Sequence, residues 1–264
     1  MVQLSTLAFG LLTLASQVSA AGTVKVMPFG ASIVSVSQAF CSPKKTYTPI
    51  LTTSQRCWRA NLQTLLKDQG ITNFDMVGSQ VSTCSGTSID QDHEGHPGAF
   101  ATDYAKNGNL TGWLNQNPPD VILMLVGTND VLIGQKPVDE VLRAYDVLLD
   151  QMRAKNENMQ IVFSNLLPLD PARFPARAVD GIKALNTATA AYAPSKSTTK
   201  SPVYFVDNFG GFDAVKDTDD GEHPNLSTGV QKMAAKFLEP TKTAIRAAET
   251  LKKKRSTSRF AKRA

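Results

Sequence analysis

The feature that most constrains the fold of this 264-residue chain is an uninterrupted apolar run, VILMLV, at residues 121–126. A strand that is apolar on both faces is typical of the centre of a parallel sheet, where helices cover the strand on both sides. Four other apolar segments rich in β-forming residues accompany it, at residues 24–28, 74–77, 161–167 and 203–206. The sequence therefore predicts a parallel sheet with residues 121–126 in its middle.

Segments with a helical spacing of apolar residues lie between the predicted strands. The clearest covers residues 138–152, where Pro137 suits the start of a helix and an apolar side chain recurs every three or four positions. Three more cover residues 55–67, 182–191 and 228–251, and Pro240 predicts a kink in the last of them. Because strands and helices alternate with short connections, the sequence predicts an α/β fold, a three-layer α/β/α sandwich with right-handed crossovers.

Two long segments, residues 35–53 and 80–98, follow predicted strands directly and are expected to be irregular. In an open α/β sheet the binding loops gather at the carboxyl ends of the strands. We therefore expect both segments to border the functional site.

The two ends of the chain differ from the part between them, residues 21–250, which we expect to form one domain. Residues 7–14 are a short apolar core, and a small-residue cleavage site follows at Val18-Ser19-Ala20. This pattern is typical of a secretory signal peptide, here residues 1–20, and the core is too short to span a membrane. No second long apolar run occurs, so we expect a secreted, extracellular monomer that does not insert into membranes.

The basic charge of the chain is concentrated in a tail at residues 251–264. The tail has seven lysine and arginine residues and no acidic residue, and removing these seven charges from the formal net charge of +5 leaves −2 for the rest. A nucleic-acid-binding domain would need basic charge spread over a folded face. The sequence therefore argues against nucleic acid as a partner, and we expect the tail to be disordered.

Three cysteines, Cys41, Cys57 and Cys84, follow the predicted signal peptide. An oxidising compartment favours one disulfide and leaves one thiol over. Cys57–Cys84 is our first choice, although the spacing leaves Cys41 open as a partner.

Four short polar motifs at predicted strand ends and loops contain the groups that acyl transfer requires. A serine hydroxyl such as that of Ser32 becomes a nucleophile when a base takes its proton, and a neutral imidazole such as that of His223 can do so near neutral pH. Asp220 lies three residues before His223, a spacing that lets its carboxylate hold one imidazole nitrogen while the other faces the serine. The backbone amides of Ser32 and Gly78 and the side-chain amide of Asn129 could then stabilise an oxyanion.

These motifs resemble, in order, the four sequence blocks of the SGNH (GDSL-type) hydrolase superfamily: Gly30-Ala31-Ser32-Ile33, Gly78, Gly127-Thr128-Asn129-Asp130 and Asp220-Gly221-Glu222-His223. Three further motifs, Cys57-Trp58-Arg59 and residues 75–80 and 92–98, resemble carbohydrate esterase family 3, whose members include acetyl xylan esterases. The resemblance implies a five-stranded parallel sheet in a flavodoxin-like SGNH hydrolase fold. It also implies catalysis without a metal or other cofactor, and removal of acetyl groups from plant cell-wall polysaccharide.

The resemblance assigns a role to each matching residue. Ser32 would be the nucleophile, His223 the base and Asp220 the orienting acid, and Ser32, Gly78 and Asn129 would form the oxyanion hole. Asp130, in the same block as Asn129, is equally well interpreted as a structural turn residue.

Acidic and histidine residues cluster at residues 92–96, which raises the question of a metal site. The His-x-x-His spacing of His93 and His96 is wrong for a helical zinc motif, and Gly95 and Pro97 prevent a regular helix there. We expect no metal, and we interpret His93 and His96 as residues that line the substrate cleft. Two tryptophans that could stack on sugars, Trp58 and Trp113, fall on helical apolar patterns and are expected in the core.

Together these features favour a secreted serine esterase that hydrolyses small acyl esters, with acetylated polysaccharide such as xylan as the expected substrate. Two alternatives stay open: an SGNH esterase or lipase with another ester substrate, and a carbohydrate-binding protein with weakened catalysis. The Gly-x-Ser-x-Gly signature of α/β-hydrolases does not occur in the chain, which argues against an ordinary lipase or cutinase.

Ala31 departs from the superfamily pattern, which usually has an aspartate that braces the nucleophile turn through hydrogen bonds to nearby amides. Its absence spares the attacking group but loosens a turn whose placement sets the rate. We therefore predict that activity is retained but reduced, and we expect Ala31→Asp to raise kcat for a chromogenic acetate ester. An unchanged or lower kcat would refute this interpretation.

Overall fold

A computed structural model describes residues 22–35, 57–82, 84 and 89–261, with side chains up to residue 258. The predicted signal peptide, Cys41 and most of the first predicted loop segment lie outside the described residues. None of the helices in the described part of the chain combines the length and the apolar character needed to cross a membrane.

Strands and helices alternate along the chain. The strands are β1 (Val24–Gly30), β2 (Phe74–Met76), β3 (Gln80–Val81), β4 (Asp92–Gly95), β5 (Val121–Leu125), β6 (Gln160–Ser164) and β7 (Val203–Val206). The helices are α1 (Ser32–Ser35), α2 (Trp58–Asp68), α3 (Ala101–Asn107), α4 (Asn109–Gln116), α5 (Thr128–Leu132), α6 (Val138–Lys155), α7 (Ala176–Ser195) and α8 (Gly229–Ala261).

The main sheet has the parallel order β2-β1-β5-β6-β7. Ile122 in β5 pairs with Met27 on one side and Ile161 on the other, so the apolar run is central, and every residue of β5 is buried. The first strand lies between the second strand and the rest of the sheet, which is the flavodoxin-like order. The predicted α/β/α class and parallel sheet are therefore confirmed, but the sheet of the described residues has two more strands than the five expected.

Two additional short strands, β3 and β4, lie inside the segment 80–98 that the sequence predicted to be irregular. β2 pairs only with residues 24–26 of β1, and β4 pairs in parallel with the last two residues of β1, Phe29 and Gly30. β3 then pairs antiparallel with β4. The four residues of β4, DHEG, carry no β-forming pattern, so the open edge of β1 rather than local propensity makes them a strand.

The helices form two packed groups, one of α2 and α8 and the other of α3, α4, α6 and α7. Trp58 in α2 is buried and stacks on Phe237 of α8, with 4.6 Å between the ring centroids. Its predicted place in the core is therefore confirmed. Trp113 in α4 is only partly buried, and it packs against the edge of the core.

Helix α8 is longer than its pattern predicted. It continues to Ala261, so residues 251–261, which we expected to be disordered, are helical. Two physical causes act together: lysine and arginine are good helix formers, and Lys252 Nζ lies 2.8 Å from Asp120 Oδ2, which ties this turn to the body. Pro240 lies within this continuous helix.

The disulfide joins Cys57 and Cys84, our first choice from the sequence. Both residues are buried, and the bond ties the start of α2 to the segment after β3. The disulfide therefore connects the group formed by α2 and α8 to the edge of the sheet where β3 and β4 lie.

We expect the variant Cys57→Ala/Cys84→Ala to lose about 3–4 kcal/mol of free energy of unfolding, because the bond closes a loop with a sequence separation of 27 and so restricts the unfolded chain. Urea unfolding followed by tryptophan fluorescence measures the loss. Cys41→Ala is the matched control and should unfold at the wild-type urea concentration. A loss of similar size for Cys41→Ala would show that a different pair is bonded, because every alternative pair contains Cys41.

Candidate active site

Three side chains from two distant parts of the sequence form one hydrogen-bonded chain. His223 Nε2 lies 2.8 Å from Ser32 Oγ, across a sequence separation of 191 residues. His223 Nδ1 lies 2.7 Å from Asp220 Oδ2. The structure thus brings together the three residues that the sequence proposed as nucleophile, base and orienting acid.

The nucleophile turn is held by the start of α2. Ser32 is the first residue of α1 and directly follows β1 and Ala31. Trp58 Nε1 donates a 2.9 Å hydrogen bond to the carbonyl oxygen of Ile33, and the buried Arg59 guanidinium donates to that of Val34. These two bonds explain what the Trp58-Arg59 motif does: it anchors the short helix that begins at Ser32.

The loop that carries His223 is shaped by Asp220 itself. Asp220 Oδ1 accepts hydrogen bonds from the backbone amides of Glu222 at 2.9 Å and His223 at 2.7 Å, while Oδ2 holds the imidazole. Gly221 between them has a φ of +92°, in the left-handed region that favours glycine. One carboxylate therefore fixes both the turn and the orientation of the ring.

The two titrating partners shift in opposite directions. Partial burial raises the pKa of Asp220, but the hydrogen bonds from the imidazole and the two amides outweigh burial and hold that pKa well below its usual range. Burial lowers the pKa of His223, but the hydrogen bond to Asp220 and the negative charges of Glu222 and Asp220 raise it more. Asp220 is therefore ionised wherever His223 is neutral, and the imidazole readily takes up a proton.

The candidate oxyanion donors follow neighbouring strands of the sheet. Ser32, Gly78 and Asn129 come after the carboxyl ends of β1, β2 and β5, which adjoin one another. Asn129 is 5% exposed, and its Nδ2 donates a 3.0 Å hydrogen bond to the carbonyl oxygen of Ala99, which orients the side chain and leaves its second N–H for another acceptor. The arrangement places suitable donors at the same sheet edge as the serine.

The sequence pattern of the GDSL-like Lipase/Acylhydrolase family matches residues 29–228, a span that includes all of these residues. The chain belongs to this family. The expectation of a carboxylic ester hydrolase is confirmed at the level of the family.

Solved structures of esterases share the fold of this GDSL-family chain. An acetyl esterase mutant whose crystal structure includes an acetate ion is 30% identical with a TM-score of 0.71, covering 85% of this chain and 99% of that one. A carbohydrate esterase family 3 protein from Talaromyces cellulolyticus is 31% identical, also with a TM-score of 0.71 and the same coverage of 85% and 99%. The resemblance to carbohydrate esterase family 3 is therefore confirmed.

A curated relative, the Multidomain esterase of Ruminococcus flavefaciens, is 29% identical over 250 residues. The match covers 88% of this chain but 30% of the relative. The GDSL-family chain therefore spans less than a third of the length of that protein.

Asp130, for which the sequence left two interpretations, is a structural residue. It is fully buried, and its carboxylate accepts the backbone amides of Ala101 at 2.7 Å and Thr102 at 3.0 Å and the Thr102 hydroxyl at 2.7 Å. Burial raises its pKa, and the hydrogen bonds from Thr102 and Ala101 oppose that shift. Asp130 thus fixes the start of α3, next to the Ala99 carbonyl that orients Asn129.

The prediction that His93 lines the substrate cleft is wrong. Its side chain is fully buried, with Nε2 2.6 Å from Ser82 Oγ and Nδ1 accepting the Gly95 amide at 3.0 Å. Burial, with the nearby charges of Arg59 and His96, lowers the pKa of His93 to about 3. His93 is therefore a neutral core residue, whereas the His96 side chain is 26% exposed and its lining role stays a prediction.

Sequence reasoning missed Glu94 and Ser79, whose side chains meet beside Gly78. Both fall inside segments that resemble carbohydrate esterase family 3, and that was their only signal.

The acidic and histidine residues around them are not arranged for a metal: within the described residues, no group of three or more such side chains could hold one.

A pH profile separates the two carboxylates near His223. We expect kcat/KM to rise with pH as His223 loses its proton, with a midpoint above 6.5 because its pKa is raised. Asp220→Asn should move this limb to lower pH, because the hydrogen bond that raises the pKa is weakened, and should lower the plateau by about 10³-fold or more. The measurement is kcat/KM for 4-nitrophenyl acetate between pH 4 and 9.

Glu222→Gln is the control for charge alone. It should also move the limb to lower pH but leave the plateau in place, because Glu222 raises the pKa of His223 through its charge, whereas Asp220 Oδ2 lies 2.7 Å from the imidazole Nδ1. Identical plateaus for wild type and Asp220→Asn would contradict the assignment of Asp220 as the orienting acid.

Proposed function

We propose that this protein is a serine esterase that hydrolyses small acyl esters, acetyl esters in particular, through an acyl-enzyme on Ser32. The observation that carries the proposal is the 2.8 Å contact between Ser32 Oγ and His223 Nε2, with Asp220 on the other imidazole nitrogen. This geometry is within proton-transfer reach and in the order that nucleophilic catalysis requires.

The first half of the reaction would form the acyl-enzyme. As Ser32 Oγ attacks the ester carbonyl carbon, its proton passes to His223 Nε2, and Asp220 stabilises the resulting imidazolium through Nδ1. The carbonyl oxygen becomes an oxyanion, for which the amides of Ser32 and Gly78 and Nδ2 of Asn129 are the donors in this proposal. The proton on Nε2 then moves to the leaving alkoxide as the carbon–oxygen bond breaks.

The second half repeats the same proton transfers with water. His223 takes a proton from a water molecule, whose oxygen attacks the acyl carbon, and the proton returns to Ser32 Oγ when the acid leaves. Every proton in the cycle is carried by the imidazole, so its raised pKa sets the lower pH limit of activity.

The proposed natural substrate is acetylated plant cell-wall polysaccharide such as xylan. Support comes from the family 3 carbohydrate esterase and the acetyl esterase that share the fold over 85% of this chain. A secreted protein would meet such a polymer, and the signal-peptide pattern at residues 1–20 supports secretion. Secretion and a monomeric state both stay predictions.

We expect the mature chain to hydrolyse 4-nitrophenyl acetate and Ser32→Ala to reduce kcat by about 10³-fold or more, because the nucleophile is lost. Acyl chain length then tests the leading alternative, since a lipase would prefer octanoate over acetate. Wild-type turnover that survives in Ser32→Ala would disprove the acyl-enzyme. Tight glycan binding without any turnover would favour the binding-protein alternative.

Release of acetate from acetylated xylan, acetylated pectin and chitin ranks the polymers. We expect release from xylan to be fastest and to disappear in Ser32→Ala. Equal rates on the three polymers, or release from none, would contradict xylan as the substrate while leaving the esterase chemistry intact.

A further inference from the structure

Strand β4 is wedged between the two segments that carry the proposed reacting groups. A Cβ added at Gly78 would lie 2.1 Å from the backbone carbonyl atoms of His93 in β4. A Cβ added at Gly95, the last residue of β4, would lie 2.6 Å from the amide nitrogen of Ser35 and 3.0 Å from the carbonyl oxygen of Ala31. Bare backbone thus packs on both sides of β4, against the Gly78 segment on one side and the nucleophile turn on the other.

Glu94 lies between these two glycine contacts and has no exposed surface. Its Oε2 accepts the backbone amide of Ser79 at 2.8 Å, and its Oε1 lies 2.6 Å from both Ser79 Oγ and His96 Nε2. A buried carboxylate is costly unless it is fully hydrogen-bonded, and here three donors surround it. The carboxylate therefore clamps the residue that directly follows Gly78.

The clamp reaches the nucleophile turn through His96. The His96 ring stacks on Trp113 with 4.4 Å between centroids, which limits its movement. Its backbone amide donates to the carbonyl oxygen of Gly30 at 3.1 Å, and the Tyr104 hydroxyl donates to the same oxygen at 3.0 Å. Gly30 is two residues before Ser32, so one connected set of contacts runs from Ser79 through Glu94 and His96 to the serine turn.

The side chain of residue 31 contributes nothing polar to this turn. Ala31 has only a methyl group, and its carbonyl oxygen accepts the amides of Val34 at 3.2 Å and Ser35 at 3.0 Å within the start of α1. Among the described residues, the contacts that hold the turn from outside come from His96 directly after β4, from α3 through Tyr104, and from α2 through Trp58 and Arg59.

We propose that Glu94 is a positioning residue that fixes the Gly78 amide relative to Ser32. It acts through β4, which packs between the Gly78 segment and the nucleophile turn. The inference rests on the proposed function, in which Gly78 and Ser32 supply oxyanion donors. Fixing the peptide of Ser79 fixes the adjacent Gly78 backbone, and a donor displaced by even 1 Å loses much of its effect on the transition state.

Glu94→Gln tests the proposal with little change of shape. Glutamine offers one acceptor oxygen where glutamate offers two, so its amide group must face one of the present donors. We expect kcat for 4-nitrophenyl acetate to fall about 10–100-fold with KM changed less than about twofold, because placement rather than binding is lost. The affinity for an alkyl boronic acid, whose tetrahedral adduct with Ser32 occupies the oxyanion position, should fall by a similar factor.

Two further variants keep the test specific. Ser79→Ala removes one of the Glu94 contacts and should lower kcat less than Glu94→Gln, and the double variant should lose no more than Glu94→Gln alone, since both act through one contact. Met152→Ala removes a buried side chain from the last turn of α6 and controls for loss of stability. It should leave both kcat and boronate affinity near wild type.

Full additivity of Glu94→Gln and Ser79→Ala would overturn the proposal. So would an unchanged kcat in Glu94→Gln, or a parallel loss in Met152→Ala at equal thermal stability. If Glu94→Gln does not fold, Ser79→Ala alone decides, because its kcat and boronate affinity must fall together.

Amide hydrogen exchange separates this inference from the proposed function, because it needs no turnover. Glu94→Gln should speed exchange in residues 76–81 and 28–35, and Met152→Ala should not. If exchange speeds up in this way in a protein without esterase activity, the positioning role of Glu94 is supported and the proposed esterase function is rejected. Unchanged exchange would reject the positioning role of Glu94 whatever the activity.

Discussion

The hydrogen bond between Ser32 Oγ and His223 Nε2 is the contact on which the rest of this structure depends. Its two residues lie near opposite ends of the described chain, so the contact exists only if the sheet places the end of β1 next to the loop that precedes α8. That placement depends on the position of β1 inside the sheet, on the anchoring of α1 by Trp58 and Arg59, and on the turn formed by Asp220. The disulfide ties down the start of α2, directly before those anchors.

The second constraint is the close approach of backbones at the carboxyl edge of the sheet. Gly78 and Gly95 have no room for a side chain, because the backbone of β4 packs against Gly78 and the nucleophile turn packs against Gly95. This packing makes a fully buried glutamate tolerable, since its donors are held within reach on both sides. The polar groups at this edge are therefore supported by a rigid layer behind them, which is what precise placement of reacting atoms requires.

Much of the architecture and of the candidate triad could be predicted from sequence. The run at residues 121–126 has only one good place in an α/β sheet, and four weak motifs at strand ends point to one chemistry. β4 and the burial of His93 could not be predicted, because residues 92–95 have no strand pattern and join the sheet at the end of β1 that β2 leaves open. The role of Asp130 was also open, because Asn129 and Asp130 are adjacent polar residues after a strand and local sequence does not distinguish them. In the structure Asp130 caps the start of α3, whereas Asn129 bonds the Ala99 carbonyl.

The sequence by itself determined the five main strands, four of the helices, the central place of residues 121–126, the reactive groups available and the favoured cysteine pair. These properties depend on side-chain chemistry and on the spacing of near neighbours. Only the tertiary structure decided that His93 is buried in the core, that Glu94 joins two loops, and that α8 continues through the basic segment. Those outcomes depend on distances and burial set by segments far apart in the chain, and no local pattern encodes them.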